Sequence, residues 1–207
     1  MKLFHSHTSP FVRKIMVLAI ETGLDKEIEL ITTATSPIKR NKELAQSNPL
    51  GKIPALVTDE GTVLFDSRVI MQYLDSLHHG AKFYPAAGAA RFRVLRDEAL
   101  ADGILDALVL CRYETFLRPA EKQWHDWVDA QMTKVLASLN ILEGEIASRQ
   151  PFNSNGTDAG LTAIAAVFGY IDFRQPDLKW RDHHPKLAAW LAKFSERPAI
   201  KATAPHD

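Results

Sequence analysis

The spacing of apolar residues changes near position 80, and that change most constrains what this chain can fold into. Before it, short strand-like pieces alternate with short helices. Leu3 and Phe4 suggest a strand, and Thr8-Ser9-Pro10 offers a polar cap with proline at the first helical position. Phe11, Ile15 and Leu18 then mark one face of a helix that stops near Gly23. Glu27 to Ile31 alternates as a second strand, and Lys39 to Gln46 reads as a short polar helix. Ala55-Leu56-Val57 and Val63-Leu64-Phe65 flank Asp59-Glu60-Gly61, a good hairpin loop. Ser67 then caps a helix running to about Leu77.

After His78 to Gly88, which reads as a linker, apolar residues recur only at helical intervals. Leu95, Ala99, Ile104, Leu108 and Cys111 predict one long helix over residues 91–118. Trp124, Trp127, Val128, Met132, Val135, Leu139 and Leu142 predict another after Pro119. Asp158 caps an apolar helix over 159–173, whose lack of a polar face suits the centre of a helical bundle. Shorter helices over 187–194 and 198–202 follow. The expectation is an α/β domain over residues 1–78 and an all-α domain over residues 88–207.

Composition narrows the function. With 25 basic and 25 acidic residues the formal net charge is zero, and no basic stripe accompanies the tryptophans, which argues against a nucleic-acid partner. No apolar run is long enough to span a membrane, and the start Met1-Lys2-Leu3-Phe4-His5 lacks the apolar core of a secretory signal. The one cysteine, Cys111, forms no internal disulfide or Cys-x-x-Cys pair and reads as a small buried hydrophobe, so a cytoplasmic location is expected. His5 and His7 are too few to define a metal centre, and no metal is expected.

Three motifs occur in order: Thr8-Ser9-Pro10-Phe11-Val12-Arg13-Lys14, then Asn48-Pro49-Leu50-Gly51-Lys52-Ile53-Pro54-Ala55-Leu56, then Phe65-Asp66-Ser67-Arg68-Val69-Ile70-Met71-Gln72-Tyr73-Leu74. Together, and followed by a helical second half, they resemble the glutathione transferase superfamily over nearly the whole chain. The resemblance is strongest to serine-type members, among them the bacterial YibF-like group. It implies a thioredoxin-like N-terminal domain, an all-α C-terminal domain, a homodimer, and glutathione as co-substrate with no permanently bound cofactor. The buried helix of the second domain departs from the pattern: many relatives place an Asp three residues after a Ser or Thr cap, whereas here Asp158 precedes Leu161.

Glutathione used as a nucleophile must ionise. A thiol with a pKa of about 8.5 is only ~3% thiolate at pH 7, and lowering that pKa by roughly two units needs about 2.7 kcal/mol of selective thiolate stabilisation. Ser9, at a helix start, either donates its hydroxyl to the sulfur or merely caps the helix; Thr8 and Ser6 are alternative donors. The resemblance implies that Ser9 is the catalytic residue and that the Ile53–Pro54 peptide is cis, with the Ile53 backbone binding the tripeptide like an added strand. Asp66 and Ser67 would take the ammonium and carboxylate of the γ-glutamyl group, or simply cap their helix. Lys52 is a candidate for the glycine carboxylate, with Lys39, Arg40 and Lys42 competing, while Arg13 and Lys14 read as structural or surface charges. Phe11, Leu108, Arg112, Tyr113 and Phe116 are candidates to line the site of a small hydrophobic electrophile, or to pack the core. The expected activity is transfer of glutathione to that electrophile, with peroxide reduction related to it. The alternatives are a glutathione-binding regulatory or interaction protein, and a scaffold that binds neither.

Overall fold

A computed structural model describes residues 1–206. Four short strands, β1 (Lys2–His5), β2 (Glu29–Thr32), β3 (Ala55–Val57) and β4 (Val63–Leu64), form one sheet in the order β2-β1-β3-β4. β1 and β2 run parallel, so a crossover helix must join them, and α1 (Pro10–Thr22) does so. β3 is antiparallel to both β1 and β4, as the loop around Gly61, at φ 82°, allows. α2 (Lys42–Ser47), capped by Asn41, starts later than the sequence pattern suggests, and α3 (Ser67–Leu77) completes a thioredoxin-like unit. The cap of α3 is Asp66 rather than Ser67: its carboxylate accepts from the Arg68 amide at 3.0 Å.

The second half is helical: α4 (Gly88–Arg112), α5 (His125–Ile146), α6 (Ala159–Arg174), α7 (Trp180–His183), α8 (Pro185–Phe194) and α9 (Pro198–Ala202). α6 is buried along nearly its whole length, and Asp158 caps it by accepting from Leu161 N at 2.9 Å. The long helix over 91–118 is instead α4 followed by a π-turn at Tyr113–Leu117, closed by Arg118 N donating to Tyr113 O at 3.2 Å. Arg118 precedes Pro119, which disfavours helical backbone there, and Arg118 is extended. No helix among the described residues is long and apolar enough to cross a membrane.

Residues 78–88 are not a slack connection. The Asp75 carboxylate accepts from Phe83 N at 2.7 Å and Tyr84 N at 3.1 Å, Asn153 Nδ2 donates to Lys82 O, and both aromatic rings are buried. Arg149 bridges Asp97 and Asp158 on the far side of α4.

Lys14 is a buried cation, not a surface charge. Its Nζ, with a side chain 0% exposed, contacts Asp102 Oδ1 at 2.6 Å and Glu98 Oε1 at 3.3 Å, both from α4. Tyr84 donates its hydroxyl to Glu98 Oε2 at 2.9 Å, and Arg68 of α3 reaches Asp102 Oδ2 at 3.8 Å. Burial raises the carboxyl pKa of both Glu98 and Asp102, with Lys14 opposing the rise. Arg13, at the preceding position, lies against Gly169 of α6 and donates Nη2 to Ile200 O at 3.1 Å. Burial depresses its guanidinium to about 10.

Removing one partner of a buried ion cluster leaves the others uncompensated, so Lys14→Met should destabilise the fold by about 3–5 kcal/mol in urea denaturation at pH 7.5. Glu98 and Asp102 have raised folded pKa values, so the folded state holds more protons and their contribution falls as pH rises from the unfolded to the folded values. Loss of Lys14 extends that window upwards, so the variant's deficit should shrink at pH 5; an unchanged deficit would contradict this account. At Gly169 an added Cβ would sit 1.6 Å from Arg13 Nη1. Gly169→Ala should therefore cost about 1–3 kcal/mol and speed proteolysis of the C-terminal segment, measured by denaturation and limited digestion.

Candidate functional site

The turn after β1 delivers Ser9 to the N-terminus of α1. Ser9 N donates to Ser6 O at 3.1 Å, and the Ser6 and Thr8 hydroxyls pair with each other at 3.0 Å. Ser9 is extended at φ −83°, ψ 118°, and Pro10 fixes the first helical φ. Ser9 Oγ accepts from Val12 N at 3.3 Å, which uses a lone pair and leaves the hydroxyl proton available to donate. Capping and donation to a sulfur are thus compatible. No acidic residue occupies the first turn of α1, so its positive end is not neutralised from within.

The C-terminal segment returns to this turn. His206 stacks on His7 at 4.3 Å, and His7 meets His5 edge-on at 4.5 Å. His5 is buried, and its pKa is lowered first by burial and then by the two neighbouring imidazoles.

The second motif forms a turn built by one side chain. Buried Asn48 accepts from Leu50 N through Oδ1 at 3.0 Å and donates Nδ2 to Lys52 O at 2.8 Å, while Gly51 adopts φ 63°. The Ile53–Pro54 peptide is cis, as the resemblance implies. Ile53 lies just past the last β1–β3 ladder pair, Phe4 with Ala55, and its side chain packs on the sheet. Lys52 is exposed. Of its competitors, Arg40 donates Nη2 to Pro49 O and packs over Gly51.

At the start of α3, Asp66 is half of a charge pair: Arg68 Nη2 donates to Asp66 Oδ2 at 2.7 Å. That hydrogen bond is the main reason the Asp66 carboxyl lies below the usual carboxylate range. Ser67 is buried, and as the first helical residue its N–H has no acceptor within α3. Asp106 on α4 faces the same group of charges. Burial raises its pKa, while the charges of Lys52, Arg68 and Lys14 lower it.

The acceptor candidates fall on three elements. Phe11 packs on the core that contains Leu108 and Tyr170; Tyr113 and Phe116 lie on the π-turn. Leu108 is fully buried and is core. Cys111 is also buried, its thiol pKa raised by burial. Sequence reasoning missed Glu98, Asp102, Asp106 and Tyr170, because each gains its meaning only from residues far along the chain.

A family model for the N-terminal domain of glutathione S-transferases matches residues 8–77. The chain is 36% identical over 206 residues to the uncharacterized GST-like protein YibF of Escherichia coli (strain K12), covering 99% of this chain and 98% of YibF. It is 40% identical over 208 residues to glutathione S-transferase 3 of Zea mays, covering 98% of this chain and 92% of that protein. A glutathione transferase family member from Pseudomonas fluorescens Pf-5, solved with bound glutathione, is 48% identical with a TM-score of 0.93 over 100% of this chain and 99% of that one. A family member from the same organism, solved with bound S-(propanoic acid)-glutathione, is 47% identical with a TM-score of 0.88, covering 99% of each chain. Matched from end to end by such relatives, the chain belongs to the glutathione S-transferase family.

Proposed function

We propose that this protein is a glutathione transferase in which Ser9 stabilises the thiolate of bound glutathione for attack on a small, largely apolar electrophile. The observation that carries this reading is the state of Ser9: its oxygen accepts from Val12 N while its proton stays free, at a helix end with no internal acid. A hydroxyl donor and a helix N-terminus each favour the anion over the neutral thiol. Their combined effect can reach the roughly 2.7 kcal/mol that a two-unit pKa drop needs. Glutathione bound to the Pseudomonas fluorescens relative supports the ligand.

In this reading residues 1–78 form the glutathione-binding domain and residues 88–207 the domain that supplies the acceptor site. Asp66 and the Ser67 amide and hydroxyl take the γ-glutamyl ammonium and carboxylate, the Ile53 backbone pairs with the tripeptide, and Lys52 neutralises the glycine carboxylate. Phe11, Tyr113 and Phe116 contact the acceptor. The sulfur then bonds to the electrophilic carbon as the displaced electron pair leaves; the same thiolate would serve peroxide reduction. A homodimer and a cytoplasmic location complete the reading. Exposed Leu50 and Phe92 offer apolar surface for a partner copy, and buried Cys111 suits a reducing compartment.

Ser9→Ala should raise the pKa of bound glutathione by about 1–2 units, the equivalent of one charge-assisted hydrogen bond, as read from thiolate absorbance against pH. Thiolate formation is favoured above the bound pKa, so the loss of rate should be greatest near pH 6–7 and fade at about pH 9. If Ser9 is a cap alone, the substitution will cost about 1 kcal/mol of stability and leave the thiol unmoved. Asp66→Asn should weaken glutathione binding about tenfold or more in calorimetry while the bound thiol pKa stays within about half a unit, separating recognition from activation.

A further inference from the structure

The arginine that ends α4 has no acid to serve. Arg112 lies with its guanidinium carbon 3.6 Å from the centroid of the Phe116 ring, and among the described residues it makes no ion pair and no side-chain hydrogen bond. The adjacent acid, Glu114, is occupied elsewhere: it accepts from Arg118 Nε at 2.8 Å and from Trp124 N at 2.9 Å. Phe116 stands four residues on from Arg112, one turn along the same face, within the π-turn that closes through Arg118 N and Tyr113 O. Phe116 is 64% exposed, so the stack stands at a surface that solvent and a ligand can reach. A position at a helix C-terminus accounts for a cation there, but not for a guanidinium held over a ring with its donors unused.

Two phenols stand beside it. Burial raises the pKa of Tyr113 and pushes that of Tyr170 to about 12, with Arg174 and Arg112 opposing the second shift. Among the described residues neither hydroxyl has a hydrogen-bond partner, unlike Tyr84, whose hydroxyl is bound to Glu98. α1, which begins just after Ser9, packs on α6, which carries Tyr170. Phe11, two residues after Ser9, packs on the core containing Tyr170. Arg13, whose amide bonds to Ser9 O at 3.1 Å, lies against Gly169, the neighbour of Tyr170.

We propose that the acceptor pocket recognises an electrophile bearing a carboxylate, with Arg112 as its counter-ion and the Tyr113 and Tyr170 hydroxyls as neutral donors. This rests on the glutathione-conjugation reading and narrows its acceptor to a small molecule with an apolar reactive part and an anionic end. A planar guanidinium matches a carboxylate with two parallel N–H donors. For an alkene activated by a carbonyl, the thiolate sulfur bonds to the β-carbon as the π pair moves onto the carbonyl oxygen. The enolate then takes a proton from water at the α-carbon. No oxidant or reductant takes part, and the carboxylate is carried unchanged into the thioether.

S-propylglutathione and S-(2-carboxyethyl)glutathione differ only by a terminal methyl in place of a carboxylate. Calorimetric titration of each into the full chain should show the carboxylate binding about tenfold or more tightly, as one charged hydrogen-bonded contact provides. Raising the salt should reduce that ratio. In Arg112→Met the ratio should fall to about one, and Arg112→Lys should restore part of it. A wild-type ratio of one or less overturns the proposal without recourse to any variant, as does a ratio that survives in Arg112→Met. If glutathione and both thioethers fail to bind, the conjugation reading itself is wrong; if glutathione binds but the carboxylate brings no preference, only the anionic acceptor is lost.

Discussion

An ammonium at zero exposure dictates how the two halves of this molecule meet. Lys14 is closed off from solvent, so its charge must be met by protein, and both carboxylates that meet it come from α4. α1 and α4 therefore dock in one register or the cluster fails. The cluster holds two cations, Lys14 and Arg68, against three acids, Asp66, Glu98 and Asp102, with the Tyr84 hydroxyl as a neutral donor to Glu98. It thus carries one excess negative charge when all are ionised. Burial is the main reason the carboxyl pKa values of Glu98 and Asp102 are raised, and the neighbouring acid adds to it in each case.

The exposed end of the cluster is Asp66, which both caps α3 and pairs with Arg68. A residue that would otherwise look like an ordinary helix cap is therefore held by a chain of charges leading to the buried centre. This gives the start of α3 a fixed geometry and a negative group beside the positive helix end, the two charges an amino-acid zwitterion requires. The proposed ligand contact and the domain packing share one electrostatic framework.

What the sequence made legible was local. Ser9, Asn48 and Asp158 each act on backbone groups within a few residues, so residue type and spacing suffice to find them. The strand and helix order was legible for the same reason. Lys14 was not, because an apolar helix face with a lysine on it looks the same whether or not carboxylates wait 84 and 88 residues away. The connection after α3 misled for a related reason: glycine, proline and alanine suggest slack, while the Asp75 carboxylate and two aromatic rings hold it. The π-turn after α4 lay beyond periodicity altogether, since it continues the helix with one residue out of phase.

The two proposed ligand sites differ in construction, and in this reading α1 serves both. The glutathione side is made mainly of helix starts and a turn, whose chemistry is backbone chemistry and whose motifs are short and contiguous. The acceptor side is made of side chains from α1, α4, the π-turn and α6, so single substitutions change its chemistry without disturbing any backbone motif. α1 is fixed against this variation on two faces: Lys14 binds α4, and Arg13 holds Ile200 O while filling the space that Gly169 leaves open. The helix end under Ser9 cannot shift towards or away from a sulfur without breaking one of these contacts. Donors aimed in advance at the place where charge develops stabilise it without reorganising, and that is the condition under which a single hydroxyl and a helix end can act on a thiol at neutral pH.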